Sequence, residues 1–305
     1  MSVLALRRLS ALAVVSIGVI IACLPAGRSV LAQAKAPISP KDKPIVLFNG
    51  KDLKPFHSWL RDTQHADPRH VFNVSMDQGK PVLYITGDGY GGLVTNDEYT
   101  NYHLIAEYRW GEKTYGDRLT TPRDNGILIH GQGPDGGSLV QVVDGFSPWL
   151  TAIEFQIEEG DVGDLFVLGG EKDGKALDVG VTVEVEMRDG PGRGGTRVPR
   201  PIWKKGGEPR RFARGAADGN RASGFYRDLD LVRTKGSRGA NDPDTPGQGW
   251  TRVEVIADGD KLTHIVNGKT VLEATHVTPT SGRIQIQSEQ AEIYYRRIEL
   301  LPLKK

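Results

Sequence analysis

The chain has 305 residues, with 39 Lys and Arg against 38 Asp and Glu, a formal net charge of +1. Such near-neutrality argues against nucleic acid or an anionic membrane as the main partner. The single cysteine, Cys23, excludes a disulfide framework, and the 38 glycines and 18 prolines fit a turn-rich β protein.

Residues 1–34 read as an export signal. Arg7 and Arg8 form its positive start, 9–24 is an apolar run, and Ala32, Gln33 and Ala34 make a small-x-small cleavage site. The run is too short, and wrongly flanked, for a membrane span. Cleavage after Ala34 removes Arg7, Arg8 and Arg28 and no acid, so the formal charge moves from +1 to −2 and no cysteine is left. The expected location is periplasmic or secreted. A second reading takes residues 20–23 as a lipobox, which would anchor the protein to a membrane through Cys23.

Residues 35–44 form a polar, Pro-punctuated linker, and 45–303 are expected to make a single domain. Its first strand, 45–48, ends at the turn signal Asn49–Gly50. Short strands follow at 82–85 and 92–95. Residues 102–110 alternate, Leu104, Ala106, Tyr108 and Trp110 opposing His103, Ile105, Glu107 and Arg109. A strand at 125–130 leads to the most informative stretch, 151–159. There Ile153, Phe155 and Ile157 alternate strictly with Glu154, Gln156 and Glu158. A period of two sends the apolar trio to a core and sets carboxylate, amide and carboxylate on the opposite face. Covering such a face with protein is costly, so it is expected to face water or a polar ligand.

After a strand at 181–186, residues 189–249 are rich in Gly, Pro, Arg and Lys. They read as a long insertion in which only 225–232 is strand-like. Its basic residues, among them Arg193, Arg197, Lys204, Lys205, Arg210 and Arg211, are expected on a solvated surface, and a second reading has the insertion cover the site. Strands resume at 250–256, a hairpin turns at Asn267–Gly268, and 282–287 and 293–300 close the sheet. Many short strands without an amphipathic helix predict an all-β, jelly-roll β-sandwich of two antiparallel sheets.

Short motifs in order over residues 43–303 resemble one family. They are 47–53 with Trp59, then 92–95 with 102–109 and 124–127, then 153–157, then 250–254 with 266–268, and finally 282–289 with Tyr295 and Arg296. This looks like the 3-keto-disaccharide hydrolase domain family. The resemblance implies a concanavalin-like jelly roll and, in some members, 3-keto-glucoside 1,2-lyase or 3-keto-2-hydroxyglucal hydratase activity on a small carbohydrate.

That chemistry needs a base near C2, since a ketone at C3 acidifies the C2 proton, a donor or cation for the enolate oxygen, and an acid for the departing C1 oxygen. Glu154 is the first candidate for the base and His130 the second. Arg109 would support the enolate with Gln156 as a neutral donor. Gln287 and Glu289 lie in the Gln-Ser-Glu stretch 287–289, where Glu289 would act as acid or hold a hydroxyl. Glu107 and Asn125 are expected hydroxyl ligands, and Asp164 would orient the loop after the motif strand. These residues fix no cofactor, and His130, Glu154, Glu158 and Glu289 offer a candidate set for a divalent cation acting as a Lewis acid. Two other functions fit less well. Direct glycoside hydrolysis would use Glu154 and Glu158, but Gln156 replaces the middle Asp of the Glu-x-Asp-x-Glu strand. A non-catalytic carbohydrate-binding module would present aromatic rings where this strand presents carboxylates.

Overall fold

The computed structural model describes residues 35–191, 196–213, 221–222, 224 and 228–304. The expected export signal with Cys23, Arg193, and the start of the strand expected at 225–232 lie outside the described residues. Residues Ala36–Lys305 form one unit. Within it, two antiparallel sheets pack face to face as a concanavalin-like jelly roll.

The larger sheet has 11 strands. Its main path runs Arg197–Trp203, Gly180–Pro191, Lys269–Thr278, Lys261–Val266, Thr251–Asp258, Tyr102–Thr114, Ala291–Leu301, Lys80–Ile85, Phe72–Asp77. The smaller, of 8 strands, runs Arg221–Ala222, Leu165–Leu168, Thr151–Glu158, Asp124–Gln132, Ser281–Glu289, Tyr90–Thr95, Phe56–Leu60. In both sheets strands distant in sequence lie side by side, as jelly-roll crossovers require.

The alternation read from the sequence sets which face is inside. Ile153, Phe155 and Ile157 are fully buried and share one core with Leu104, Ala106, Tyr108 and Trp110 from the larger sheet. Each such side chain contributes roughly 1.5–3 kcal/mol by leaving water. Alternation then fixes Glu154, Gln156 and Glu158 on the far face of the smaller sheet.

The insertion differs from expectation. Gly180–Pro191 pairs with Arg197–Trp203 along one half and with Glu208–Ala213 along the other, while 228–232 contains no strand. Pro199, Pro201 and Pro209 hid these pairings. Proline is tolerated at a sheet edge, where its missing N–H faces away from the ladder, and the edge position also suits alternating arginines.

Candidate functional site

The far face of the smaller sheet is ordered by its register. Glu158 stands opposite Asp124, Asp124 opposite Glu289, and Glu289 opposite Tyr90, so three carboxylates line up across three strands. In the next row Gln156 faces Gly126 and Gln287 faces Gly92. In the third, Glu154 faces Leu128 on one side and Phe166 on the other, and Phe166 faces Arg221. Gly126 is what lets the rows converge: a Cβ there would run into Gln287 Oε1 and Glu154 Oε1.

Like charges in a row need a counter-ion, and Arg118 supplies it. It projects from the short 3-10 turn Gly116–Leu119. Its Nη2 donates to Asp124 at 2.5 Å and to Glu289 at 3.0 Å, and its Nη1 lies 3.8 Å from Glu158. Burial, with repulsion from Glu289 and Glu158, still pushes Asp124 well above the usual carboxylate range, and burial also raises Glu289. Burial thus disfavours full ionisation of this pair, against the pull of Arg118.

The row is largely shielded from open water, one of the two surroundings expected for it. Glu154 is 7% exposed, Gln156 6% and Glu158 9%. At one end the face is covered by Trp149 and Leu150, which pack on Trp59, Leu128 and Leu168. At the other, Arg233 from the insertion reaches Glu158 at 2.6 Å and also pairs with Asp161. The consequence for Glu154 is chemical. Burial first, then the negative Glu289, push its carboxyl up to about 8, against the weaker pull of Gln287 and Arg221. Beside it, the Oε1 atoms of Gln156 and Gln287 are buried and have no hydrogen-bond donor among the described residues.

Of the expected site residues, Glu154, Gln156, Gln287 and Glu289 are brought together, and four others are placed differently. Arg109 lies on the outer face of the larger sheet, where it donates to Asp77 at 2.6 and 3.2 Å and stacks on Tyr294. Glu107 shares that face, receiving Arg296 at 2.6 Å and Arg297 at 3.4 Å. Neither can touch a ligand at Glu154, because the core lies between. Asn125 points inward, donating to the Gln287 carbonyl and accepting from Tyr295 Oη, both at 2.7 Å, so its amide is used up in the core. His130 is also fully buried. A left-handed backbone (φ 54°) and a bulge turn its ring against Tyr102, with Nδ1 donating to the Pro279 carbonyl at 2.8 Å. Burial lowers its pKa to about 4. This removes His130 from the expected cation-ligand set as well as from the place beside Glu154. Asp164 ties its loop to the insertion, accepting from Arg221 Nη2 and from the Gly224 N–H, both at 2.5 Å, while Arg221 also holds Asp161 of the same loop.

Sequence reasoning missed Arg118, Asp124, Gly126, Arg221 and Arg233. For Asp124 and Gly126 the signal was present: they share the parity of Leu128, opposite to the inward Ile127 and Ile129. The three arginines reach the site from a turn and from the insertion, which carry no periodicity.

A family model for the 3-keto-alpha-glucoside-1,2-lyase-like domain matches residues 43–301. The chain belongs to this family. Membership makes it a carbohydrate-active protein of hydrolase or lyase type. Among curated protein sequences none matches. The chain is similar to a solved structure from Parabacteroides distasonis described as a glycosyl hydrolase, at 14% identity over 86% of this chain and 94% of that one, with a TM-score of 0.43. A second from the same organism, also described as a glycosyl hydrolase, is 16% identical over 86% and 100%, with a TM-score of 0.41. A Bacillus licheniformis β-glucanase is 11% identical over 85% and 98%, at 0.37. For this member of the lyase-like family the fold rests on its own two sheets and the site on the rows described above.

Proposed function

We propose that the protein is an exported enzyme that cleaves or hydrates 3-keto-glycosides, with Glu154 removing the C2 proton. The observation carrying this reading is the Glu154 carboxyl, buried on a sheet face and pushed up to about 8. An ordinary carboxylate is too weak a base for a carbon acid. One whose charge is disfavoured by its surroundings takes a proton more readily, and the ketone at C3 lowers the demand by turning the carbanion into an enolate. Electrons from the broken C2–H bond form the C1–C2 double bond as the C1 oxygen departs. Adding water across that bond completes a net hydrolysis.

The neighbouring groups fit the remaining roles. The unpaired Oε1 atoms of Gln156 and Gln287 would each accept a sugar hydroxyl, relieving a desolvation cost of about 1–3 kcal/mol per group. Asp124 and Glu289, whose ionisation burial disfavours, would supply the acid for the departing oxygen. Support of the enolate passes from Arg109 to Arg221, the guanidinium in the register row of Glu154. Export rests on the composition of residues 1–34.

Direct glycoside hydrolysis is disfavoured because Glu158, the second carboxylate it needs, is tied to Arg233 at 2.6 Å. A binding module is disfavoured because Trp59 and Trp149, the tryptophans on this face, are 5% and 1% exposed and offer no platform. The test is turnover of a 3-keto-glucoside beside its unoxidised parent. The reading expects turnover of the first alone, abolished by Glu154→Gln. Equal turnover of both, or none of either with tight glycan binding, would overturn it.

A further inference from the structure

A second cluster sits at the opposite edge of the same sheet and takes no part in the chemistry above. His57 lies on the edge strand Phe56–Leu60, His65 in the turn after it, and Asp135 in the segment following Asp124–Gln132. One ligand atom from each lies within 4.8 Å of the others. His57 Nε2 is 2.8 Å and His65 Nε2 3.9 Å from the same oxygen, Asp135 Oδ2. Ligand atoms around a tetrahedral ion at 2.0–2.1 Å are about 3.3 Å apart, between these two distances. The His65 side chain, 63% exposed, is free to take up the difference.

The surrounding hydrogen bonds decide which ring nitrogen each histidine offers. The Asn96 amide is oriented by its Nδ2 donating to the Lys54 carbonyl at 2.8 Å. Its Oδ1 therefore faces His57 Nδ1 at 2.9 Å and can only accept, so Nδ1 carries the proton. His65 Nδ1 likewise faces a carbonyl, that of Ser58, at 3.3 Å, while its ring stands edge-on to Trp59. Both rings thus spend Nδ1 on a fixed acceptor and aim Nε2 at one carboxylate oxygen. Asp135 is held in turn by Arg283, whose Nη1 donates to the other oxygen at 2.5 Å while Nη2 donates to the Gly133 carbonyl. Ring N–H groups anchored on carbonyl or amide oxygens, with an oriented carboxylate, are the outer-shell arrangement that prepares histidines to bind a metal.

We propose that His57 Nε2, His65 Nε2 and Asp135 Oδ2 bind a divalent transition metal of the Zn²⁺ class, with one coordination position left to water. Two imidazoles and one carboxylate suit Zn²⁺ and not Ca²⁺ or Mg²⁺, which prefer all-oxygen sets. His57 and Glu154 belong to one register row, through Val94, Gln285 and Leu128. Four strand spacings put them about 19 Å apart. The metal is therefore separate from the proposed base. It would clasp the edge strand to the segment that begins at Asp135 and runs on to Trp149, whose ring covers the apolar end of the face.

The test uses the full mature chain without a polyhistidine tag, stripped with chelator and titrated with ZnCl₂ by calorimetry, with a parallel thermal melt. Expected are saturable uptake of one ion per chain, a higher melting temperature with zinc, and no uptake of Ca²⁺ or Mg²⁺. His65→Ala and His57→Ala should each weaken zinc binding more than about tenfold, and Asn96→Ala, which touches no metal, by about 10–100-fold. His70→Ala, on an exposed histidine outside the cluster, should bind as wild type does, and so should Glu154→Gln. Since the His65 side chain is largely exposed, its variant stays folded and keeps the result interpretable. Absence of saturable uptake, or uptake unchanged in His65→Ala and His57→Ala, would show that His57 and Asp135 share only a proton and would end the proposal.

Discussion

On the outer face of the larger sheet Glu107 receives Arg296 at 2.6 Å and Arg109 holds Asp77 at 2.6 Å. On the covered face of the smaller sheet Glu154 has no ion pair among the described residues. Both faces come from strands with the same alternation and a similar mix of carboxylates and polar partners. Their electrostatics run in opposite directions. At Glu254, on the outer face, partial burial works against ionisation, but hydrogen bonds from Arg252 and His103 outweigh it and the pKa falls. At Glu154 burial outweighs the pull of Gln287 and Arg221, and the pKa rises to about 8. Period-two patterning selects a face. Whether that face is covered, and by which cations, decides if a carboxylate is a strut or a base.

Glu154 separates the two faces most clearly. Glu154→Gln should lower kcat on a 3-keto-glucoside by about 10²–10⁴-fold, the usual worth of a general base, while circular dichroism at pH 7 stays that of wild type. A variant with near-normal rates would put Glu154 among the struts.

Stability gives a second contrast, now with a sign. The folded pKa of Glu154 lies above its ordinary value of 4.5. Its contribution to stability is therefore fully present below pH 4.5 and lost as pH rises through about 8. Glu154→Gln should match wild type in denaturant at pH 4–5 and exceed it at pH 9 by on the order of 4 kcal/mol. Arg118→Met should do the reverse at neutral pH. It strands Asp124 and Glu289 without their shared cation, and the loss of about 3–5 kcal/mol would be read from the shift in urea midpoint. An unchanged midpoint would mean that the carboxylate row is not held by Arg118.

Smaller effects sharpen the geometry. Gly126→Ala pushes Gln287 and Glu154 off their shared position and should reduce kcat by roughly 10²-fold with little loss of melting temperature. Arg109→Met, on the outer face, should leave turnover within about twofold of wild type and cost about 1 kcal/mol, the scale of an ion pair near the surface. A large fall in turnover there would contradict the separation of the two faces.

Much of the fold was legible because the core-facing residues obey period two: Ile153, Phe155 and Ile157, and Leu104, Ala106 and Tyr108, point where their alternation says. The same rule placed Glu154 and Gln156 together. Applied to Asn125 the rule sends that residue inward with Ile127, where its amide serves the core and not a sugar hydroxyl. His130 was beyond the rule, since a bulge with a left-handed residue resets the parity locally. Arg109 and Glu107 were misassigned for another reason. Alternation gives the face of a strand but not which of two sheets it joins, and that is decided by pairing with Thr251–Asp258 and Ala291–Leu301, far away in the chain. Coverage was the hardest part to read, because Arg118 and Arg233 come from segments whose composition says only that they turn.

The most direct test of Glu154 as the C2 base is the fate of the hydrogen at C2. A 3-keto-glucoside carrying deuterium at C2 should be cleaved more slowly than its protiated form by the wild-type protein, with loss of the label to solvent seen by NMR, and neither cleavage nor label loss should occur with Glu154→Gln. Cleavage with the deuterium retained at C2, or label loss undiminished in the variant, would contradict the account.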